Sequence, residues 1–227
     1  MSSTPLKSKK LVLVGDSAFA EVAYEYFTYD SEYKVVAFAV EQEFRKRDRF
    51  LDLPVVDFEK VEQLYAPAEH SFFAALVYTQ GNKLRARLYE AAKSKGYAPA
   101  SYVSSKAFVW RDVVIGEHAF IFENNVLQPR VVIGSNVVLW SGNHIGHHST
   151  IGGNCFLSSH VVVSGFVKIG THCFMGVNAT VANNVDIGNH CLIGASALVL
   201  ADVPDHKVVV GIWKAPHRPT TTGGTTN

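Results

Sequence analysis

The chain of 227 residues has no charge of one sign to spare, since 21 Lys and Arg stand against 20 Asp and Glu. With acids and bases interspersed, neither a nucleic-acid face nor a polybasic membrane anchor is expected. Long apolar runs are missing too. The polar, basic start Met1–Lys10 leads into Leu11–Val14, far too short for a signal-peptide core or a membrane span, so the expectation is a soluble cytoplasmic protein. Cysteine is scarce, an odd three with no metal-ligand spacing, which suits a reducing compartment rather than a disulfide framework. No full G-x-G-x-x-G phosphate-binding motif occurs. What remains is 48% hydrophobic and long enough for one large domain or two modest ones.

Every sixth residue from Val103 to Val199 is aliphatic or Met, seventeen positions in succession through Ile121, Leu139, Leu157 and Met175. Gly often follows, as at 116, 134, 146, 152 and 170, and a small residue often stands four places on, as at Ala119, Ser149 and Ala179. The period fits neither an amphipathic helix nor an alternating strand. It predicts a parallel β-helix in which each hexad makes one short strand and one corner, and three hexads close a triangular coil. Cys155, Cys173 and Cys191, each eighteen residues apart, then stack at an inward corner position as small hydrophobes. Stacked strands about 4.8 Å apart hold their sulfurs too far apart to bond.

Ahead of the repeats, strand and helix alternate. Strands are expected at Lys10–Val14, Lys34–Val40 and Phe72–Tyr78, and helices at Ala18–Tyr29, Asp57–Leu64 with Asp57 as N-cap, and Asn82–Lys95 closed by Gly96. A charged loop at Glu41–Asp52 and an extended Pro54–Val56 lie between them. Such alternation implies a parallel sheet with crossover helices, a Rossmann-like domain over residues 1–100, followed by the β-helix over 101–219 and a low-complexity, disordered tail at 220–227. After Pro204 and Asp205 break the repeat, Val208–Val210 is expected as a last strand. With no loop inserted between hexads, a single β-helix has no deep pocket, so any pocket must be completed by the N-terminal domain or a neighbouring subunit.

Register sorts the ten histidines. His118, His172 and His190 share a corner column with Asn136 and Asn154, residue types that tolerate left-handed backbone, and read as turn chemistry. In Trp140–Ser149, WSGNHIGHHS, His144, His147 and His148 gather around one edge. Inward Asn143 and Asn125 are expected to form an amide ladder. His147, on the corner beside the Ile-Gly step, projects outward and can accept a proton near neutral pH. His148 can orient it or face the substrate, and His160, a coil further, is expected to line the same edge.

The whole chain resembles bacterial acyltransferases that modify sugars for surface glycans, the group of sialic acid O-acetyltransferases and nucleotide-linked amino-sugar N-acetyltransferases. The resembling segments are LVLVGDSAFAEVAYEYF, LPVVDFEKVEQL, KSKGYAPASYVS, HIGHHSTIG, VVSGFVKIGTHCFMGVNATV and VVVGIWKAP. The resemblance implies a left-handed β-helix, a homotrimer and direct acyl transfer from acetyl-CoA, with His147 as general base. It also implies an oxyanion-stabilising N–H near Gly165, small residues Gly176, Ala195 and Gly211 where the pantetheine passes, and Lys214 and Arg218 near the cofactor phosphates. The acceptor's nucleotide is expected at the carboxyl ends of the first strands, on Gly15, Asp16, Ser17 and Glu41, with His160 on the substrate side. The chain departs from the family where His148 replaces a carboxylate, where the loop Gly15–Ala20 is poor in Gly and lacks a His, and where Phe156 replaces a second His. N- and O-acylation both stay open, as do a histidine-metal site of the γ-class carbonic anhydrase kind and a non-catalytic scaffold; no metal ligands are assigned.

Overall fold

The computed structural model describes residues 7–214, so the tail at 220–227 and Arg218 lie outside the described residues. The chain begins with β1 (Lys9–Val14), α1 (Ala18–Tyr29), β2 (Tyr33–Val40), β3 (Arg49–Phe50), β4 (Leu53–Asp57), α2 (Val61–Leu64), β5 (His70–Ala74), α3 (Lys83–Ser94) and β6 (Ala98–Pro99). These strands form one sheet in the order β3-β4-β2-β1-β5-β6, parallel except for the β3–β4 hairpin. Apolar runs with both faces covered are what a parallel sheet requires. Leu11, Leu13, Phe38 and Phe73 pack with Phe19, Ala23 and Phe27 of α1, whereas Val12, Val14, Phe72 and Ala74 pack with Val61 of α2 and Leu88, Tyr89 and Ala92 of α3.

From Tyr102 onward the hexads wind into a three-sided prism. Its strands are two residues long and pair in parallel with those eighteen residues away, as Phe120 with Val138, Val126 with His144, and Val132 with Thr150. Residues at 120–121, 138–139 and 156–157 lie on a first face, those at 126–127 and 144–145 on a second, and those at 132–133 and 150–151 on a third. The periodic aliphatic residue of each strand points inward and, from Ile121 to Val199, is buried. Burying one such side chain stabilises by about 1.5–3 kcal/mol. At some corners coil stacking leaves room only for glycine: a Cβ on Gly146 would lie 2.5 Å from the carbonyl carbon of Ser164. The column of His118, Asn136, Asn154, His172 and His190 has positive φ throughout, between 55° and 62°. Cys155, Cys173 and Cys191 are free and buried inside the prism.

The first face meets the N-terminal sheet. Phe120 lies 5.6 Å from the rings of Phe19 and Phe27 and 5.2 Å from that of Phe73, and Trp140 lies 5.4 Å from Phe19. Phe120, Val138 and Phe156, on the outward side of this face, are therefore core.

Several local expectations need correction. The helix expected at Asp57–Leu64 is a 3-10 turn, Phe58–Lys60, followed by the single turn α2; the Asp57 side chain caps neither, because its carboxylate pairs with Arg45 Nε at 2.9 Å. Strand β5 stops at Ala74, four residues early, and the charged loop contains β3. Val208–Val209 is followed by a further strand, Ile212–Trp213. The Asn125–Asn143 ladder does not form. Both carboxamides instead donate to the Trp140 carbonyl, at 2.8 and 2.6 Å, and Asn143 Oδ1 accepts the Val161 N–H at 2.8 Å. At a corner the turn leaves backbone groups without strand partners, and these outcompete the neighbouring amide.

Candidate functional site

His147 stands on the corner between the second and third faces, exposed. Its backbone N–H donates to Gln128 Oε1 at 3.0 Å. A Cβ on Gly165, one coil above, would lie 2.7 Å from Cε1 and 2.9 Å from Nε2 of His147, so glycine is what lets the imidazole lie flat against the backbone. The Nδ1 atoms of His147 and His148 are 3.1 Å apart. Phe166 stacks on the His148 ring at 4.7 Å and 19° and presents itself nearly perpendicular to His147. The structure thus brings His147, His148 and Gly165 together. It corrects one role: the Gly165 N–H donates to Asn183 Oδ1 at 2.9 Å, and the next amide, that of Phe166, donates to the His147 carbonyl at 3.0 Å. Neither is free to hold an oxyanion here.

His160 does not share this edge. It lies on the corner between the first and second faces, in the left-handed column of Asn124, Gly142, Asn178 and Ser196, because twelve residues from His148 is two-thirds of a coil. Its ring covers Gly142, where a Cβ would come within 2.6 Å. Gly176 and Ala195 meet on the same corner, a Cβ on Gly176 falling 2.5 Å from the Ala195 nitrogen. Gly211, at φ +71°, and Lys214 are exposed at the top of the prism. One chain therefore presents the expected base on one corner and the expected pantetheine contacts on another.

A third group gathers at the carboxyl ends of β1, β2 and β5. Gly15, Asp16, Ser17 and Glu41 line a cavity of about 480 Å³ with Phe44, Leu76 and Arg87. Gly15 has φ +109°. Asp16 pairs with Arg47 at 3.3 Å, and both Glu41 oxygens are held by Arg87 at 2.7 and 2.8 Å. Hydrogen bonding to Arg87 pulls the Glu41 carboxyl below its usual range. Ser17 is the N-cap residue of α1 without a side-chain cap bond, so its hydroxyl is not committed to the helix. Phe19, packed on Trp140, ties this loop to the corner that carries His160. Among the described residues no group of three or more His, Cys, Asp or Glu side chains gathers to hold a metal ion.

Sequence reasoning missed the buried polar joint behind this cavity. Arg85 is fully buried on the apolar stripe of α3 formed with Leu88, Tyr89 and Ala92. It donates to Asn136 Oδ1 and to the carbonyls of Asn136, Asn154 and Cys155, with no carboxylate partner; burial lowers its pKa to about 10. His118 Nε2 accepts the Ala74 N–H at 2.8 Å, which leaves Nδ1–H to donate to Asn136 Oδ1 at 2.9 Å. Burial, and then the Arg85 charge, push the His118 pKa down to about 3. A visible signal existed: a charged residue at the i, i+3, i+4, i+7 spacing of a buried stripe. Phe166, too, occupies a left-handed position of the kind that most other corners, Arg130 and Ser196 excepted, fill with Asn, His or Gly.

Residues 112–147 match the bacterial transferase hexapeptide (six repeats), and 166–201 match the hexapeptide repeat of succinyl-transferase. Both matched stretches lie within the β-helix. A comparison with curated proteins finds no match. Solved structures do match. PerB from Caulobacter crescentus, in complex with CoA and GDP-perosamine, is 25% identical over 90% of this chain and 94% of its own, with TM-score 0.76. A mutant of perosamine N-acetyltransferase from Caulobacter crescentus, with the same two ligands, is 24% identical over 91% and 95%, with TM-score 0.78. The acetyltransferase domain of PglB from Neisseria gonorrhoeae FA1090 is 21% identical over 88% and 96%, with TM-score 0.77. The fold, with both its halves, is shared with these proteins.

Proposed function

We propose that this protein transfers an acetyl group from acetyl-CoA to the amino group of a nucleotide-linked sugar. The observation that carries the reading is His147, an exposed imidazole packed on a glycine at a prism corner, in a chain whose fold matches, over nine-tenths of its length, a protein crystallised with CoA and GDP-perosamine. In this reading the acceptor amine attacks the thioester carbonyl while His147 Nε2 takes its proton. The tetrahedral intermediate then collapses, the C–S bond breaks, and the coenzyme A thiolate takes the proton from His147.

The N-terminal half is read as Rossmann-like, with the acceptor's nucleotide in the cavity of Gly15, Asp16, Ser17 and Glu41, at the carboxyl ends of its parallel strands. Acetyl-CoA passes the corner of Gly176, Ala195 and Gly211, with Lys214 toward its phosphates. Because that corner and the His147 corner are different edges of one prism, the active site is assigned to the junction of neighbouring subunits in a homotrimer of left-handed β-helices, a closed arrangement that satisfies identical lateral faces. Such an enzyme works in the cytoplasm on precursors of surface glycans. Among the described residues no helix is long and apolar enough to cross a membrane.

The test is incubation with acetyl-CoA and a panel of nucleotide-linked amino sugars, following thiol release and product mass. Acetylation on nitrogen is expected. Acetylation of a hydroxyl would move the enzyme to the O-acyl class, and no thiol release with any acceptor would overturn the reading.

A further inference from the structure

Two imidazole Nδ1 atoms 3.1 Å apart can share only one proton, so the His147–His148 pair has two forms. In one, His147 Nδ1 carries hydrogen and Nε2 has the lone pair; in the other, His147 Nε2 is protonated and cannot act as a base. The surroundings hold the pair in place without using this hydrogen. His148, at φ +59°, lies flat on Phe166, which itself adopts φ +57°, a costly conformation for a bulky aromatic residue. Phe166 is 50% exposed, so core burial does not demand this strain; its ring packs against the two histidine rings. The charged residues beneath this corner are Arg130, one coil below His148, and Arg111 and Asp112, two coils below, the Asp112 carboxylate accepting the Arg130 N–H at 3.0 Å. Above, Asn183 and Asn184 bring no charge.

Resting on the reading of His147 as base, the geometry points to His148 as the positioning residue that accepts the His147 Nδ1–H and so keeps the lone pair on Nε2, with Phe166 as the platform that holds it. When Nε2 takes the acceptor's proton, the Nδ1–H···Nδ1 bond becomes charge-assisted and shares the imidazolium charge between two rings. When the thiolate leaves, the Nε2 proton goes with it, and the pair returns to its starting form. A neutral ring in this place fixes the tautomer without the electrostatic pull of a carboxylate.

The tautomer is read in the resting full-length protein, without substrate, from the 15N shifts of labelled histidines. His147 is expected with Nδ1 protonated and Nε2 bare, and His148→Gly, which the left-handed backbone accepts, is expected to mix the two forms. Finding His147 protonated on Nε2 in the parent protein would overturn the assignment whatever the enzyme's substrate. In turnover, His148→Gly should lose roughly ten- to hundredfold in kcat, the scale of a misoriented catalytic group, with the acetyl-CoA KM little changed. His148→Asn should recover most of that loss, since Asn Oδ1 can accept the same N–H. His148→Asp should move the acid limb of the rate profile to higher pH, because a carboxylate holds the imidazolium. A fully active His148→Gly beside an inactive His147→Ala sinks only the role of His148, whereas a fully active His147→Ala sinks the base reading itself.

Discussion

The guanidinium of Arg85 closes on Asn136 from two sides, Nε to the side-chain oxygen at 3.1 Å and a terminal nitrogen to the backbone carbonyl at 3.2 Å. Through this contact a helix of the N-terminal sheet grips the corner of the β-helix, and the same nitrogen reaches the carbonyls of Asn154 and Cys155. The grip fixes the cavity at the strand ends, which Leu84, Arg87 and Leu88 of the same helix line, relative to the prism.

Replacing Arg85 with Met keeps the volume and removes every one of these donors. The Cys155 carbonyl keeps the Val138 N–H, but the Asn136 and Asn154 carbonyls lose their Arg85 donor, at a cost of about 1–3 kcal/mol for each left unpaired, while loss of the cation's own desolvation offsets part of that. The net expectation is a destabilisation of about 1–3 kcal/mol, read as a lower midpoint of urea unfolding by tryptophan fluorescence, since Trp140 lies at the joint. An unchanged midpoint would mean that the aromatic contacts alone hold the two halves together.

His118 makes the joint acid-sensitive. In the folded protein it resists protonation down to about pH 3, whereas in the unfolded chain it titrates near 6.5. Above pH 6.5 neither state is protonated there and the contribution is fully present. As pH falls below 6.5 the unfolded state gains the proton first, and stability is lost progressively toward pH 3. His172, whose pKa is also lowered by burial, adds in the same direction. His118→Asn, suited to φ +57°, should therefore give a shallower loss of stability between pH 6.5 and 5, above the range where the carboxylates titrate. Equal slopes for the two proteins would refute the burial argument.

The prism was legible because its signal repeats: seventeen apolar positions at a fixed spacing specify inward strands, corners and stacking together. His147 was legible for the same reason, since register alone puts it outward at a corner. What register could not supply was contact across the chain. The commitment of the Gly165 amide to Asn183 depends on the rotamer of a side chain one coil away, and the Ala74–His118 bond joins two halves that sequence periodicity treats as independent. His160 was misplaced by counting a full coil where twelve residues make two-thirds of one.

His147→Ala is expected to fold as the parent does, being exposed, and to lose roughly two to four decades of turnover, the range of a general base. Gly165→Ala tests the same site from above. Its Cβ would press on Cε1 and Nε2, so the ring must swing away, and turnover should fall while unfolding midpoints move little. Near-full activity in both variants would place the chemistry elsewhere.

The second and third faces of the prism carry outward apolar residues that the N-terminal sheet does not cover, among them Phe108, Val114 and Val132. Exposed apolar surface of this kind marks an interaction face. Sedimentation at micromolar concentration is expected to give a trimer, and Val132→Asp, a charge on such a face, should shift it toward monomer with loss of activity. A stable parent monomer would remove the shared-site reading.

Gly15 stands where the first strand meets the cavity at the strand ends. It turns the chain out of β1 at φ +109°, a conformation that side-chain-bearing residues rarely adopt, and a Cβ there would lie 3.2 Å from the Ala75 carbonyl oxygen. Gly15→Val adds a branched side chain to that strained turn, on the wall of the cavity that also holds Asp16, Ser17 and Glu41. The loop must shift, and it is the loop nearest the proposed nucleotide. The expected result is a large rise in acceptor KM with little change in the KM for acetyl-CoA, whose assigned corner is built from Gly176 and Ala195 and shares no residue with this loop. The full-length variant is compared with the parent by steady-state kinetics in both substrates, after circular dichroism has shown that it folds. If the acceptor KM stays put while the variant is folded, the nucleotide must bind on the β-helix, and the cavity at the strand ends serves some other ligand.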